Sequence, residues 1–298
     1  METFRQKHPG YGPLEVLLLP VPKGSAKFRK ETLWASVPRY SRSSIESHRI
    51  TLMSDLNSWA PNTEMCELGD SEIHVWRAYL DSQEAVLHRF ETTLSSDEKA
   101  RANRFHFLRD RNGFVAARGV LRELLAKYVD RGPRGLQFDY GPQGKPSLRA
   151  NPEENSVQFN VSHSHGLALL AFARGRHLGV DVELIRPEFA VDEIADRYFS
   201  PEEAMELRGL PPSLRAEAFF LCWTRKEAYI KARGEGLHIP LGSFHVSLTP
   251  GQPERLESAD SYRWSLYSLR PDPRYVGALV GEGGGWRVRY GEWKSDGS

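Results

Sequence analysis

The run Ile73-His74-Val75-Trp76-Arg77-Ala78-Tyr79-Leu80, rich in β-branched and aromatic residues with polar positions between them, predicts a strand. Leu94-Ser95-Ser96-Asp97-Glu98 then reads as a helix start, with Ser95 as N-cap and Glu98 closing a capping box. Phe114, Ala117, Val120 or Leu121, Leu124 and Tyr128 recur at three-to-four spacing, so a helix is expected over 113–129, stopped by Gly132-Pro133. Short apolar runs at 159–161, 167–173 and 178–184 predict three strands. Phe199-Ser200-Pro201-Glu202-Glu203 repeats the capping pattern with Pro at the first helical position. A long helix over 214–233 follows, ended by Gly234 and Gly236, and four strands are expected at 244–248, 262–269, 275–280 and 286–290.

The pattern repeats. Ser95 and Ser200 lie 105 positions apart, and so do Phe114 and Phe219, each early in its long helix. Equal offsets predict two matched halves sharing a cleft, the natural place for a ligand. Residues 71–155 are expected to form the first half and 156–298 the second. Residues 1–70 carry Pro9, Pro13, Pro20, Pro22 and Pro38, a basic stretch from Lys23 to Lys30 and Ser41-Arg42-Ser43-Ser44, with poor periodicity. They read as a disordered extension, or as sequence upstream of a true start at Met53.

Composition narrows the class. Of 298 residues, 40% are hydrophobic and 27% charged, enough for a sizeable core without disulfide or metal staples. Lys+Arg is 40 and Asp+Glu 39, so the net charge of +1 argues against a globally basic nucleic-acid binder. The two cysteines, Cys66 and Cys222, form no CxxC pair, and a reducing cytoplasmic setting is expected. The run Val16-Leu17-Leu18-Leu19 is far too short to span a bilayer, and no membrane association is expected.

Four clusters could carry chemistry. Asp181 and Glu183 share one face of a strand whose other face holds Leu178, Val180, Val182 and Leu184. Two carboxylates about 7 Å apart can grip one hard cation, or they can form a solvated acidic face. Glu227 falls on the apolar stripe of Phe219 or Phe220, Trp223 and Ile230, where an unpaired carboxylate is expensive, while Lys231 sits one turn on. A plain Glu227–Lys231 helix pair is the competing reading. Gly144-Lys145-Pro146 and Ser162-His163-Ser164 offer phosphate donors at turns, or else a surface turn and a capping serine; His163 could also serve as a base or metal ligand. Of Arg101, Arg104, Arg109, Arg111, Arg118 and Arg122, Arg118 is the best candidate for a buried anion contact.

Phe159-Asn160-Val161-Ser162-His163-Ser164, then Gly179-Val180-Asp181-Val182-Glu183, then Trp223-Thr224-Arg225-Lys226-Glu227-Ala228-Tyr229-Ile230-Lys231-Ala232 resembles the signature of the Sfp-type 4′-phosphopantetheinyl transferases. The resemblance covers roughly residues 73 to 290 and takes in Gly144-Lys145-Pro146 and Gly234-Glu235-Gly236-Leu237. It implies an α+β fold, a pseudo-dimer of two similar α/β halves, each a small mostly antiparallel sheet on a long helix. It implies an enzyme that moves the phosphopantetheine arm of coenzyme A to a serine of a carrier protein and releases adenosine 3′,5′-bisphosphate. It assigns Asp181, Glu183 and Glu227 to Mg²⁺, and Lys231 to the pyrophosphate. Lys145, Ser162 and His163 fall to the adenosine-end phosphates, and Arg118, with Arg104 as a second choice, to the 3′-phosphate or ribose. Glu227, or water on the metal beside it, is the implied base. His165 departs from the commoner serine and has no implied role. A monomer is expected. Two rival readings are a metal-dependent phosphohydrolase using the same acids, and a non-catalytic coenzyme A-binding module.

Overall fold

The computed structural model describes residues 59–61, 67–129, 131–149, 157–235 and 239–295. Met53, most of the proposed extension, Cys66 and Gly236-Leu237 lie outside the described residues. In chain order the elements are β1 (Ala60–Pro61), β2 (Glu72–Tyr79), α1 (Glu84–Thr93), α2 (Ser96–Ala102), α3 (Leu108–Tyr128), β3 (Phe138–Tyr140), β4 (Pro146–Leu148), β5 (Val157–Ser164), β6 (Leu167–Arg174) and β7 (Leu178–Leu184). There follow α4 (Val191–Tyr198), α5 (Pro201–Gly209), α6 (Pro212–Arg233), β8 (His245–Val246), β9 (Leu256–Glu257), β10 (Trp264–Leu269), β11 (Tyr275–Glu282) and β12 (Arg287–Glu292). Among the described residues no helix is long and apolar enough to cross a membrane.

Two sheets stack between the long helices. The first runs β1-β12-β2-β6-β5 and the second β10-β11-β7. β2 alternates strictly: Trp76 and Ala78 pack towards α3, whereas Ile73 and Val75 face the second sheet. β6 does the same, sending Leu170 and Phe172 to the helix side and Leu169 and Ala171 to the inter-sheet core. Both of its faces are covered, which is why 167–173 reads as a continuous apolar run. In the second sheet, Val180 and Val182 of β7 enter that same inter-sheet core, while Val276, Ala278 and Val280 of β11 face α6. The order is helix, sheet, sheet, helix, an α+β pseudo-dimer as expected.

The two capping boxes are both formed. Ser95 N–H donates to Glu98 Oε2 at 3.0 Å; Ser200 N–H donates to Glu203 Oε2 at 2.8 Å and Glu203 N–H returns to Ser200 Oγ at 3.2 Å. The repeat goes deeper than caps. Each capping glutamate also receives a buried cation from the long helix that follows it, Arg122 at 2.7 Å on Glu98 and Lys226 at 2.8 Å on Glu203.

Several expectations shift. Residues 157–174, expected in the second half, pair with β2 and complete the first sheet, because β6 is hydrogen-bonded along β2 from Ile73 to Tyr79. β12, from the chain's end, crosses back to run parallel beside β2, so the halves exchange a strand. Trp59, placed in the extension, is buried, lies tilted against Tyr290 with ring centres 5.2 Å apart, and donates from Nε1 to Arg270 O at 3.1 Å. The strand expected at 244–248 shrinks to β8. The buried ion pair takes its backbone partners instead: Lys226 donates to Phe244 O at 2.7 Å, and Val246 N–H donates to Glu203 Oε1 at 2.8 Å.

Candidate functional site

β5 and β7 are the edge strands of their sheets, and they lie side by side. No backbone ladder joins these two strands; β5 reaches across with the polar side chains on its even-numbered face. Asn160 Oδ1 accepts Val180 N–H at 2.8 Å, Ser162 Oγ donates to Asp181 Oδ1 at 2.7 Å, and Ser164 Oγ donates to Glu183 Oε2 at 2.6 Å. The odd-numbered face, Val157 and Phe159, stays in the helix-side core. A period-two strand thus supplies both a hydrophobic face and a row of clamps.

α6 covers this seam at close range. A Cβ on Gly179 would lie 2.1 Å from Ala228 O and 2.4 Å from Ala232 N, so only glycine lets the helix backbone rest on β7. The approach buries Asp181, Glu183 and Glu227 to 5% exposure or less. The solvated acidic face is therefore excluded. Lys231 reaches back from α6 to Asp181 Oδ1 at 2.6 Å, and also to Ser162 Oγ at 3.1 Å and Val180 O at 3.3 Å. It bridges to β7, so the simple i, i+4 pair with Glu227 does not describe it, although Glu227 helps to hold its charge. Gly234, at φ 73°, closes the helix in the left-handed conformation that glycine adopts freely.

The electrostatics follow from crowding acids in a dry place. Burial pushes the Glu183 carboxyl up to about 8, and the neighbouring Asp181 charge adds to it. Burial pushes Asp181 up as well, against the pull of Lys231 and Ser162. For Lys231 burial works against the charge, but Asp181 and Glu227 outweigh it, so the ammonium is held above its usual range. Asp181 Oδ2 is buried without a hydrogen-bond partner. Three buried carboxyls beside one lysine cannot readily all ionise by themselves, and their oxygens are the donors a hard divalent cation takes. Among the described residues no three His, Cys, Asp or Glu side chains converge closely enough to form a ready-made cage.

Of the other predicted residues, Lys145 and His163 lie nearest this cluster. Lys145, from the β3–β4 turn, donates to Leu178 O at 3.0 Å and Lys231 O at 2.7 Å. Burial, then the charge of Lys231, lowers its pKa to about 8. His163 is exposed on β5 beside the seam. Its dense surroundings and then the charges of Lys231, Arg118 and Arg101 hold its imidazole well below the usual range. Arg118 is buried, with its guanidinium 5.6 to 5.9 Å from the ring centres of Phe114, Phe138 and Tyr140. Arg104 is exposed; burial lowers the pKa of Arg101, and the charges of Arg118 and Arg104 add to that. A basic face therefore lies on one side of the acids.

Sequence reasoning offered Ser164 to phosphates, whereas it clamps Glu183, and it passed over Asn160 and the Glu203–Lys226 pair. Ser164 and Asn160 had a signal: polar residues at 160, 162 and 164 alternate with apolar ones opposite an acidic strand face. Lys226 had none, since its partner lies in another element.

The chain is similar in sequence to known proteins along most of its described length. A sequence profile described as the 4′-phosphopantetheinyl transferase superfamily matches residues 177–280, and one described as 4′-phosphopantetheinyl transferase, N-terminal, matches 78–174. The chain is 41% identical over 234 residues to the 4′-phosphopantetheinyl transferase HetI of Nostoc sp., covering 78% of this chain and 98% of HetI. It is 30% identical over 174 residues to a 4′-phosphopantetheinyl transferase of Bacillus subtilis, covering 58% of this chain and 75% of that one. It is 28% identical over 209 residues to the 4′-phosphopantetheinyl transferase Sfp of Bacillus subtilis, covering 69% and 90%.

Proposed function

The chain belongs to the 4′-phosphopantetheinyl transferase superfamily, and from that premise we propose how its residues work. It transfers the 4′-phosphopantetheine arm of coenzyme A to a serine hydroxyl of a carrier protein and releases adenosine 3′,5′-bisphosphate. The observation that carries this reading is the seam itself: Asp181, Glu183 and Glu227 buried together beside Lys231, with a basic face alongside.

Asp181, Glu183 and Glu227 would hold Mg²⁺. The orphaned Asp181 Oδ2 and the Glu183 carboxyl, whose ionised form burial disfavours without a cation, both suit a divalent ion. Such an ion supplies neutralisation of the pyrophosphate charge that builds as the bond to the leaving bisphosphate breaks. The chain's own residues do the rest. Lys231 donates to the pyrophosphate from the position where it now meets Asp181. Lys145, Ser162, His163 and Arg118 receive the adenosine-end phosphates, with Arg104 at the rim. Phosphoryl-type transfer needs this placement and charge balance more than covalent chemistry.

The serine hydroxyl must lose its proton as its oxygen bonds to phosphorus, and Glu227 takes that proton. Glu227→Gln keeps the side chain's shape and removes the basic oxygen. Conversion of an apo carrier should then fall by about 10²–10⁴-fold, as for loss of a general base, while coenzyme A binding by calorimetry stays within a few-fold. Near-wild-type turnover in that variant would remove Glu227 from the role. A phosphohydrolase would instead release phosphate from coenzyme A with no carrier present, and nothing in the site favours that reading.

A further inference from the structure

β5 and β6 are joined by a two-residue turn, His165-Gly166, with φ of 46° and 89°. Two successive left-handed residues make the tight hairpin turn whose first position favours asparagine, aspartate or glycine. Histidine there is the single non-glycine residue with positive φ among the described residues. Such a conformation costs about 1 kcal/mol for an ordinary side chain and points to a use for the residue. The turn is also anchored from outside: Tyr275 OH donates to His165 O at 2.8 Å, and Leu80 N–H donates to Gly166 O at 2.8 Å.

The side chain makes a directed contact. His165 Nδ1 lies 3.0 Å from Ser164 Oγ, and Ser164 Oγ lies 2.6 Å from Glu183 Oε2. A hydroxyl has one hydrogen to give. With a cation bound and Glu183 ionised, the short contact takes that hydrogen, and the imidazole tautomer that carries its hydrogen on Nδ1 then donates to Ser164 Oγ. Leu184 N–H approaches the same oxygen at 3.5 Å, too long to set its direction alone. His165 is thus the strong donor that turns the Ser164 hydroxyl onto Glu183. Ser164 and Glu183 are both buried, whereas His165 lies exposed at the turn.

We propose that His165 is a positioning residue for the cation-binding acids: acting through Ser164, it fixes the orientation of the Glu183 carboxylate and so sets the affinity for Mg²⁺. The inference rests on the reading of Asp181, Glu183 and Glu227 as the Mg²⁺ site. It assigns a role to a turn residue that touches neither substrate nor cation.

The test is a double-mutant cycle on the full chain, read by Mg²⁺ binding in calorimetry and by the rise of melting temperature with added Mg²⁺. His165→Gly suits the left-handed turn and removes only the imidazole, so the fold is retained. Partners that orient metal ligands typically change affinity 10- to 100-fold, and one further removed should act at the low end. His165→Gly is expected to weaken Mg²⁺ binding about tenfold and to leave the KM for coenzyme A at saturating Mg²⁺ unchanged. Ser164→Ala should weaken it at least as much. Adding His165→Gly to Ser164→Ala should then change nothing more, because the route is already cut. A purely structural turn residue would leave Mg²⁺ affinity untouched, and that result overturns the proposal. So does an effect of His165→Gly that persists at full size in the Ser164→Ala background. If wild-type protein binds no Mg²⁺, the metal reading itself fails and the role of His165 falls with it.

Discussion

At Lys145 an ammonium group is held by two backbone carbonyls beside a second cation. Its pKa, lowered to about 8 by burial and by Lys231, lies below that of an unfolded lysine. Below pH 8 both states carry the proton and the cost of burying the charge is fully present. Between pH 8 and about 10.4 the folded state has released a proton that the unfolded chain keeps, so stability rises with pH across that window. Urea unfolding at pH 8 and pH 10 should show a gain of about 2 kcal/mol in wild type relative to Lys145→Met, after allowing for partial exposure. Equal pH dependence in the two proteins would refute it. Lys226 is the complementary case. It is fully buried and paired at 2.8 Å with an equally buried Glu203. Lys226→Met strands that carboxylate, and should lower unfolding free energy by about 3–5 kcal/mol, read as a lowered denaturant midpoint. At this scale the sequence exposed the acids, through strand alternation and the apolar helix stripe. It did not expose the pairing of Lys226 with Glu203 or of Ser164 with Glu183, because the partners lie 23 and 19 positions apart in different elements.

Among elements, the contact between α6 and β7 decides the site, because it alone brings Glu227 and Lys231 over Asp181 and Glu183. Its tightest point is Gly179, where any side chain meets helix backbone at 2.1 Å. Backbone cannot turn aside as a side-chain tip can. Gly179→Ala should therefore cost more than the ordinary 1–3 kcal/mol of overpacking, visible as a large drop in melting temperature. A melting temperature within a degree or two of wild type would show that the helix does not rest there. The long elements were legible in the sequence because three-to-four spacing, capping boxes and apolar runs recur over many residues. α1 and α4 were not: α1 buries only Phe90, and α4 only Val191 and Ala195, too few contacts to stamp a period. β1, β3, β4 and β9 are two or three residues long, too short for any periodicity.

Over the whole molecule the 105-residue offset marks two halves that share caps, long helices and buried glutamate–cation pairs. They are not separable beads. β12 returns to the first sheet, β5 is stapled to β7, and the candidate site occupies that seam. The halves were readable from the repeat; the exchanged strand was not, since strand partners far apart in sequence leave no local mark. Near-neutral net charge likewise conceals a separation, with acids gathered under α6 and bases gathered around His163. The central claim is that this seam transfers a group from coenzyme A to a carrier serine. It is tested most directly by mass spectrometry of an apo carrier protein after incubation with this chain, coenzyme A and Mg²⁺. The carrier should gain the mass of one phosphopantetheine arm, and a carrier with its acceptor serine replaced by alanine should gain nothing. An unchanged mass across a panel of fatty-acid, polyketide and peptide carriers would contradict it.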